Sequence, residues 1–136
     1  AVSSGAEVMC GGKRMSDSCY SPTVLFNPPE DCRVSREEIF GPVISVYEKQ
    51  DMDDAIVQAN SLPFAFQASV FSNDYTEIMN AINGLDGSAI MVNENSAFRV
   101  DWMPFAGRKQ SGLGIGGIAH TLEEMSQSKM AVLSFG

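Results

Sequence analysis

Four stretches of the 136-residue sequence concentrate side chains that can bind or catalyse. Arg36-Glu37-Glu38-Ile39-Phe40-Gly41-Pro42 places two acids, an aromatic and a Gly-Pro turn just before an apolar run. A carboxylate there can accept hydrogen bonds from sugar hydroxyls, and an aromatic face can flank a flat ring. The plain alternative is a surface turn with one solvated acid and one buried Phe, since Gly-Pro turns are common. Asn93-Glu94-Asn95 follows a second apolar run. Loops at the C-terminal ends of parallel strands bind ligands, but Asn also caps and turns, and both readings stand.

Phe98-Arg99-Val100-Asp101-Trp102-Met103-Pro104-Phe105 gathers aromatic and apolar groups around one cation and one anion. Aromatics at this density point to a pocket or an interface. A buried Arg99 would need a partner, either Asp101 or an anionic ligand. The alternative is a loop folded over the core with an Arg–Asp pair. Gly107 to Gly117 is Gly-rich and invites reading as a phosphate cradle at a helix N-terminus. Its spacing is not GxGxxG, no strand directly precedes it, and position 134, where a ribose-binding acid would fall, is Ser. A structural Gly loop is the better reading.

No nucleophile stands out. Cys10, Cys19 and Cys32 are three in number, without a CxxC pair, and His120 is the single histidine. An odd count with no signal peptide at the start argues against a disulfide framework, and this set makes a poor zinc site. A low thiol pKa needs a helix N-terminus or a cation, and only Arg33 beside Cys32 is on offer. Nine Lys plus Arg against 17 Asp plus Glu leave a net charge of −8, which disfavours nucleic acid. Hydrophobic residues are 44% and charged ones 19%, the balance of a globular chain. No apolar run is long enough to span a bilayer. A cytoplasmic protein is expected.

The elements that would position these groups alternate between strand and helix. Glu7–Cys10, Pro22–Phe26 and Val43–Tyr47 read as strands. Asp51 caps a helix whose Met52, Ala55, Ile56 and Ala59 share one face, and Pro63 bars its continuation. Ala68–Phe71 reads as a strand. Asp74 with Glu77 forms a capping box for a second helix, and Asn83-Gly84 offers a left-handed stop. Ser88–Val92 is an apolar strand of the kind buried in parallel sheets. A short helix over 117–125 and a strand over 129–135 complete the chain. Strand–helix–strand units over 43–71 and 68–92 imply right-handed crossovers, hence an α/β fold with a partial parallel sheet flanked by helices.

Taken in order, these motifs resemble the C-terminal portion of the aldehyde dehydrogenase superfamily. The resemblance rests on Gly11-Gly12, Tyr20-Ser21-Pro22-Thr23-Val24-Leu25, Glu37-Glu38-Ile39-Phe40-Gly41-Pro42-Val43, Ala59-Asn60 before Val70-Phe71, Val92-Asn93, and Met103-Pro104-Phe105-Ala106-Gly107 leading to Lys109-Gln110-Ser111-Gly112. It implies an NAD- or NADP-dependent enzyme. A cysteine attacks an aldehyde, hydride passes to the cofactor, and a Glu-activated water hydrolyses the thioester. It further implies that Glu38 accepts from the nicotinamide ribose hydroxyls, that Phe40 packs near the nicotinamide, and that Phe105 lines the substrate tunnel. Arg99, in the same loop, becomes a candidate contact for an acidic aldehyde.

On this reading residues 1–125 are the later part of the catalytic domain and 126–136 an oligomerisation strand that joins a neighbouring subunit, giving a homo-oligomer. The nucleophilic Cys, the Glu base and the Rossmann cofactor domain lie upstream in the family. No catalytic residue and no metal ligand is therefore assigned here, and the 136 residues alone are expected to be inactive. The sequence departs from the family at Ala65 and Ala106, where Gly is usual. The rival reading is a non-catalytic self-association module derived from a dehydrogenase. A third is a small nucleotide-binding domain using Gly112–Gly117.

Overall fold

The structure is a computed structural model that describes all 136 residues. The chain divides into two compact units, Ala1–Gln50 and Asp51–Gly136. Each is described by itself.

The first unit is built on a three-stranded sheet. Strands β1 (Glu7–Cys10), β2 (Thr23–Phe26) and β3 (Val43–Val46) lie in that order, β1 antiparallel to β2 and β2 parallel to β3. A short helix, α1 (Arg33–Arg36), connects β2 and β3. The central strand is also the most buried, with Thr23 and Leu25 inside. The Thr23 hydroxyl donates to the Ser21 carbonyl at 2.8 Å and accepts from the Gly12 N–H at 2.8 Å, so this buried polar group is satisfied. Gly11 is required by close approach: its φ is +76°, and a Cβ would lie 2.0 Å from the Pro22 carbonyl oxygen.

The second unit contains α2 (Met52–Asn60), β4 (Phe64–Ala65), β5 (Gln67–Val70), α3 (Tyr75–Gly84), β6 (Ala89–Val92), β7 (Arg108–Lys109) and α4 (Ile118–Glu124). Strands β5 and β6 pair in parallel from Gln67↔Ala89 to Val70↔Val92, with α3 as the crossover. The expected strand–helix–strand unit over 68–92 is therefore present. Val70, Ala81 and Met91 form its buried centre. The short strands β4 and β7 pair antiparallel.

Both helix starts are capped as the sequence predicts. Asp51 accepts from the Asp54 N–H at 2.8 Å, and Asp74 accepts from Thr76 and Glu77 at 2.7 and 3.0 Å. The return arm of the capping box runs through Ser72. Its hydroxyl donates to Glu77 at 2.6 Å and accepts from the Asp74 N–H at 3.0 Å.

Four expectations need correction. Strand β3 pairs with β2, so 43–71 is not a parallel strand–helix–strand unit with β5. The apolar register between Thr23–Phe26 and Val43–Val46 satisfies β3 inside the first unit. Gly84 is not a left-handed stop. The helix runs through it into extended Leu85, and the glycine instead admits Ile56, whose Cγ2 would lie 3.1 Å from a Cβ there. Residues 129–135 form no strand. A strand exists through its ladder, and no segment of this chain pairs with them. Finally, the intended inner face of α4 is exposed, with Ile118, Leu122 and Met125 at 78, 67 and 83%.

Candidate functional site

In the first unit the acidic-aromatic loop forms a tip between α1 and β3. The tip is tied to the sheet, because Thr23 N–H donates to the Pro42 carbonyl at 2.8 Å and Val43 N–H to that of Gly41 at 2.8 Å. Its two acids have different fates. Glu37 is held by Arg33, one helical turn earlier, at 2.8 Å, and the guanidinium draws its carboxyl below the usual value. Glu38 stands outside that pair and is exposed. Two free carboxylate oxygens can accept from a pair of hydroxyls.

Phe40 is not buried, contrary to the plain turn reading. Its ring is 89% exposed and its φ is +50°. The left-handed region costs a bulky side chain about 1–2 kcal/mol, and such residues collect at ligand clamps. The loop and sheet border an open pocket of about 830 Å³, lined among others by Leu25, Cys32, Glu37, Glu38, Ile39 and Val43. Cys32 is buried at the start of α1, but the guanidinium of its neighbour Arg33 is engaged by Glu37. Nothing therefore marks this thiol as a nucleophile. No group of three or more His, Cys, Asp or Glu could hold a metal ion.

In the second unit the structure brings Arg99 and Phe105 together. The guanidinium carbon lies 4.4 Å from the Phe105 ring centroid, and the Phe66 ring meets Phe105 edge-on at 4.9 Å and 85°. Phe66 is anchored in turn, because its carbonyl accepts from the Ser88 N–H at 2.7 Å and the Ser88 hydroxyl at 2.8 Å. Phe105 is fixed by reciprocal backbone bonds with Gly116 at 2.9 and 2.8 Å. Arg99 is exposed and makes no ion pair with Asp101, so neither the buried arginine nor the Arg–Asp pair forms. The loop runs over the surface, where water solvates the charge and the ring supplies the contact.

The Asn93–Asn95 segment resolves into turn chemistry. Asn93, at φ +53°, accepts from the Ser72 N–H at 3.0 Å and donates to the Ser72 carbonyl at 2.9 Å, clamping the ends of β5 and β6 together. Asn95 accepts from the Ala97 N–H at 2.8 Å in an Asx turn.

The Gly-rich stretch is a staple. Lys109 Nζ donates to the carbonyls of Asn60 and Leu62 at 2.8 and 3.1 Å and pairs with Asp86 at 3.1 Å. Arg108 pairs with Asp86 at 3.3 Å. Ser111 Oγ accepts from the N–H of Ala65, one of the family departures, at 3.0 Å. The two cations hold the Asp86 carboxyl below its ordinary value, hydrogen bonding from Lys109 contributing most. Two backbone N–H groups that a phosphate would need are already taken, that of Ile115 by Glu124 at 2.9 Å and that of Gly116 by the Phe105 carbonyl at 2.8 Å. Sequence reasoning missed Phe66 and Asp86. Each lies outside any motif, and only the fold brings them to Phe105 and Lys109.

Compared with known proteins, the chain matches the aldehyde dehydrogenase family over residues 1–131 and belongs to it. It is 37% identical over 134 residues to a 3-sulfolactaldehyde dehydrogenase of Priestia megaterium, covering 98% of this chain and 28% of that protein. It is 41% identical over 132 residues to a lactaldehyde dehydrogenase of Methanococcus maripaludis, covering 97% and 28%. The structure of NADP-dependent glyceraldehyde-3-phosphate dehydrogenase from Bacillus halodurans, complexed with NADP, superposes with a TM-score of 0.92 at 33% identity, covering 100% of this chain and 28% of that one. The 136 residues thus span little more than a quarter of the length of these relatives, and they carry the α/β fold of that part.

Proposed function

We propose that this chain is the later part of the catalytic domain of an NAD- or NADP-dependent aldehyde dehydrogenase, converting aldehyde, water and oxidised cofactor to carboxylic acid, reduced cofactor and a proton. The cofactor, when bound, accepts the hydride released from the aldehyde carbon. Glu38 accepts hydrogen bonds from the nicotinamide ribose hydroxyls, and the outward ring of Phe40 flanks the nicotinamide. The observation that carries this role is the loop tip itself. A free carboxylate stands two residues from an aromatic held outward by left-handed backbone, on a loop pinned to the sheet at Pro42. A carboxylate acceptor beside an aromatic face fits a ribose beside a flat heterocycle.

Arg99 and Phe105 line the substrate path, and Arg99 reads an acidic end of the aldehyde. Relatives named for 3-sulfolactaldehyde and glyceraldehyde 3-phosphate support an anionic substrate, whereas the relative named for lactaldehyde supports an uncharged one. The nucleophilic cysteine is supplied from outside these 136 residues, so the isolated chain oxidises no aldehyde. Residues 126–136, unpaired within the chain, become an oligomerisation strand only by pairing with a neighbouring subunit. The exposure of Met130, Val132 and Phe135, at 87, 84 and 88%, supports that use.

Cofactor titration of the intact enzyme tests the reading. Glu38→Leu should weaken NAD(P)+ binding about tenfold, the scale of a hydrogen-bonding partner to a charged group, and leave aldehyde KM unchanged. Unchanged cofactor affinity in both Glu38→Leu and Phe40→Ala would remove the assignment.

A further inference from the structure

The Arg99 loop carries a second charge that the substrate reading above does not use. Val100 to Met103 turns back on itself, with the Met103 N–H donating to the Val100 carbonyl at 3.0 Å. Asp101 lies in that turn. It lines the same cavity of about 540 Å³ as Arg99, together with Gly117, Ile118 and Thr121. Cation and anion do not neutralise each other there. Arg99 rests on the Phe105 ring at 4.4 Å, and Asp101 takes part in none of the chain's ion pairs.

Gly117 packs closely against the turn. Gly117 has φ +121°, and a Cβ on it would lie 3.2 Å from the Met103 carbonyl oxygen. The open depression presents the Arg99 guanidinium, resting on the Phe105 ring, the unpaired Asp101 carboxylate, the Thr121 hydroxyl and an apolar Ile118. A simple acid would satisfy Arg99 and leave Asp101 repelling it, since like charges in one pocket disfavour binding. A ligand with an anionic group and a neighbouring hydrogen-bond donor satisfies both.

We infer that Asp101 is a specificity-determining residue: the cavity selects aldehydes that carry, beside their acidic group, a hydroxyl or ammonium substituent that donates to Asp101. This rests on the reading that Arg99 binds the acidic end of the substrate. Hydroxyl and ammonium share the donor chemistry, and two substitutions separate them. Asp101→Asn keeps an acceptor for a hydroxyl but loses the charge that pairs with an ammonium. Asp101→Leu loses both.

The experiment is a kcat/KM panel on the intact enzyme. It uses three aldehydes of matched length: neutral, carboxylate-bearing, and carboxylate-bearing with an adjacent hydroxyl or amino group. The wild type should prefer the doubly substituted aldehyde. Asp101→Leu should cut that preference about tenfold or more, as expected for a lost hydrogen bond to a charged group, acting mainly through KM of the doubly substituted aldehyde. Asp101→Asn should do so only for the amino compound if ammonium is the natural group. Arg99→Leu is the control for the underlying reading, and it should abolish discrimination between acidic and neutral aldehydes. If Arg99→Leu has that effect but both Asp101 variants keep the wild-type preference, the inference fails alone. If Arg99→Leu changes nothing, the substrate reading beneath it fails. An equal fall on all three aldehydes in Asp101→Leu would mark a merely structural residue and also overturn the inference.

Discussion

Asn93 offers a graded test of how the second unit holds its loops. Its side chain closes two hydrogen bonds on Ser72, at 3.0 and 2.9 Å, while its backbone sits at φ +53°. Both bonds are exposed, so each contributes about 0.5–1 kcal/mol, the low end for neutral hydrogen bonds. Asn93→Asp keeps the acceptor for the Ser72 N–H and loses the donor, so it should cost about 0.5–1 kcal/mol. Asn93→Gly loses both bonds but accepts the left-handed backbone, for about 1–2 kcal/mol. Asn93→Ala loses both bonds and adds about 1 kcal/mol or more of left-handed strain. The assay is hydrogen exchange on the intact protein, followed in peptides covering 71–74 and 92–95, because local opening is read there without a two-state assumption. Amides should exchange faster by about 2–5-fold, 5–30-fold and then several-fold more, at roughly tenfold per 1.4 kcal/mol. An Asn93→Gly variant that opens more readily than Asn93→Ala would refute the role given to the backbone. An Asn93→Asp variant equal to Asn93→Gly would refute the role given to the Ser72 N–H bond.

Further outcomes follow from neighbouring contacts. Gly107→Ala places a Cβ 2.4 Å from the Ser111 carbonyl carbon and oxygen, backbone that cannot yield, and should cost about 1–3 kcal/mol by overpacking. Gly84→Ala meets only the Ile56 side chain at 3.1 Å and should cost less, with both read as thermal midpoints of the intact protein. The Asp86 carboxyl is held below its ordinary value of 3.8, so its contribution to stability is present above that pH and lost as pH falls through the lowered folded value. The melting difference between wild type and Asp86→Asn should therefore be present at pH 7 and close only on the acid side of 3.8. A gap that closes between pH 5 and 6 would contradict the depressed carboxyl. Phe66→Ala removes the edge support of Phe105 and should raise the KM of acidic aldehydes, with Phe66→Leu restoring part of it; equal KM values in all three forms would show that Arg99 does not depend on that stack.

Local rules explain why some elements were legible and others were not. Asp51 and Asp74 announce their helices because capping is decided within four residues. The apolar run 88–92 reads as a parallel strand because Ala89–Val92 is continuously apolar, although within this chain only Met91 is buried. Partner choice is not local, so Val43–Val46 alone could not reveal that its neighbour is β2 rather than β5. Gly84 looked like a helix stop because the sequence shows a glycine after Asn and hides the approach of Ile56. Residues 129–135 have the composition of a strand, but the ladder that would make them one is not in this chain. At the candidate site, Glu38 and Phe40 stand out in the sequence as a motif, and of the two partners it offers Arg99, Asp101 or an anionic ligand, Asp101 forms no ion pair with it. The contact of Arg99 is the Phe105 ring, a pairing that charge arithmetic does not display.

Backbone strain sets Phe40 apart from the other residues with positive φ. Four residues other than glycine have positive φ: Asn27, Phe40, Asn93 and Lys109. Three of them are compensated by their own side chains. Asn27 accepts from the Glu48 N–H at 2.8 Å, Asn93 clamps Ser72, and Lys109 Nζ reaches the Asn60 and Leu62 carbonyls. Phe40 has no such return, since its ring is 89% exposed. Strain that the fold does not offset is expected to be offset by a ligand. Phe40→Gly and Phe40→Ala isolate the point, because both delete the ring and only Gly relaxes the backbone. Without cofactor, Phe40→Gly should exceed Phe40→Ala in stability by about 1 kcal/mol, left-handed relief less the entropic cost of glycine. Cofactor-induced thermal shifts should be diminished in both. If Phe40→Ala keeps the wild-type shift, the ring has no part in cofactor binding, and the left-handed turn at Phe40 serves the fold alone.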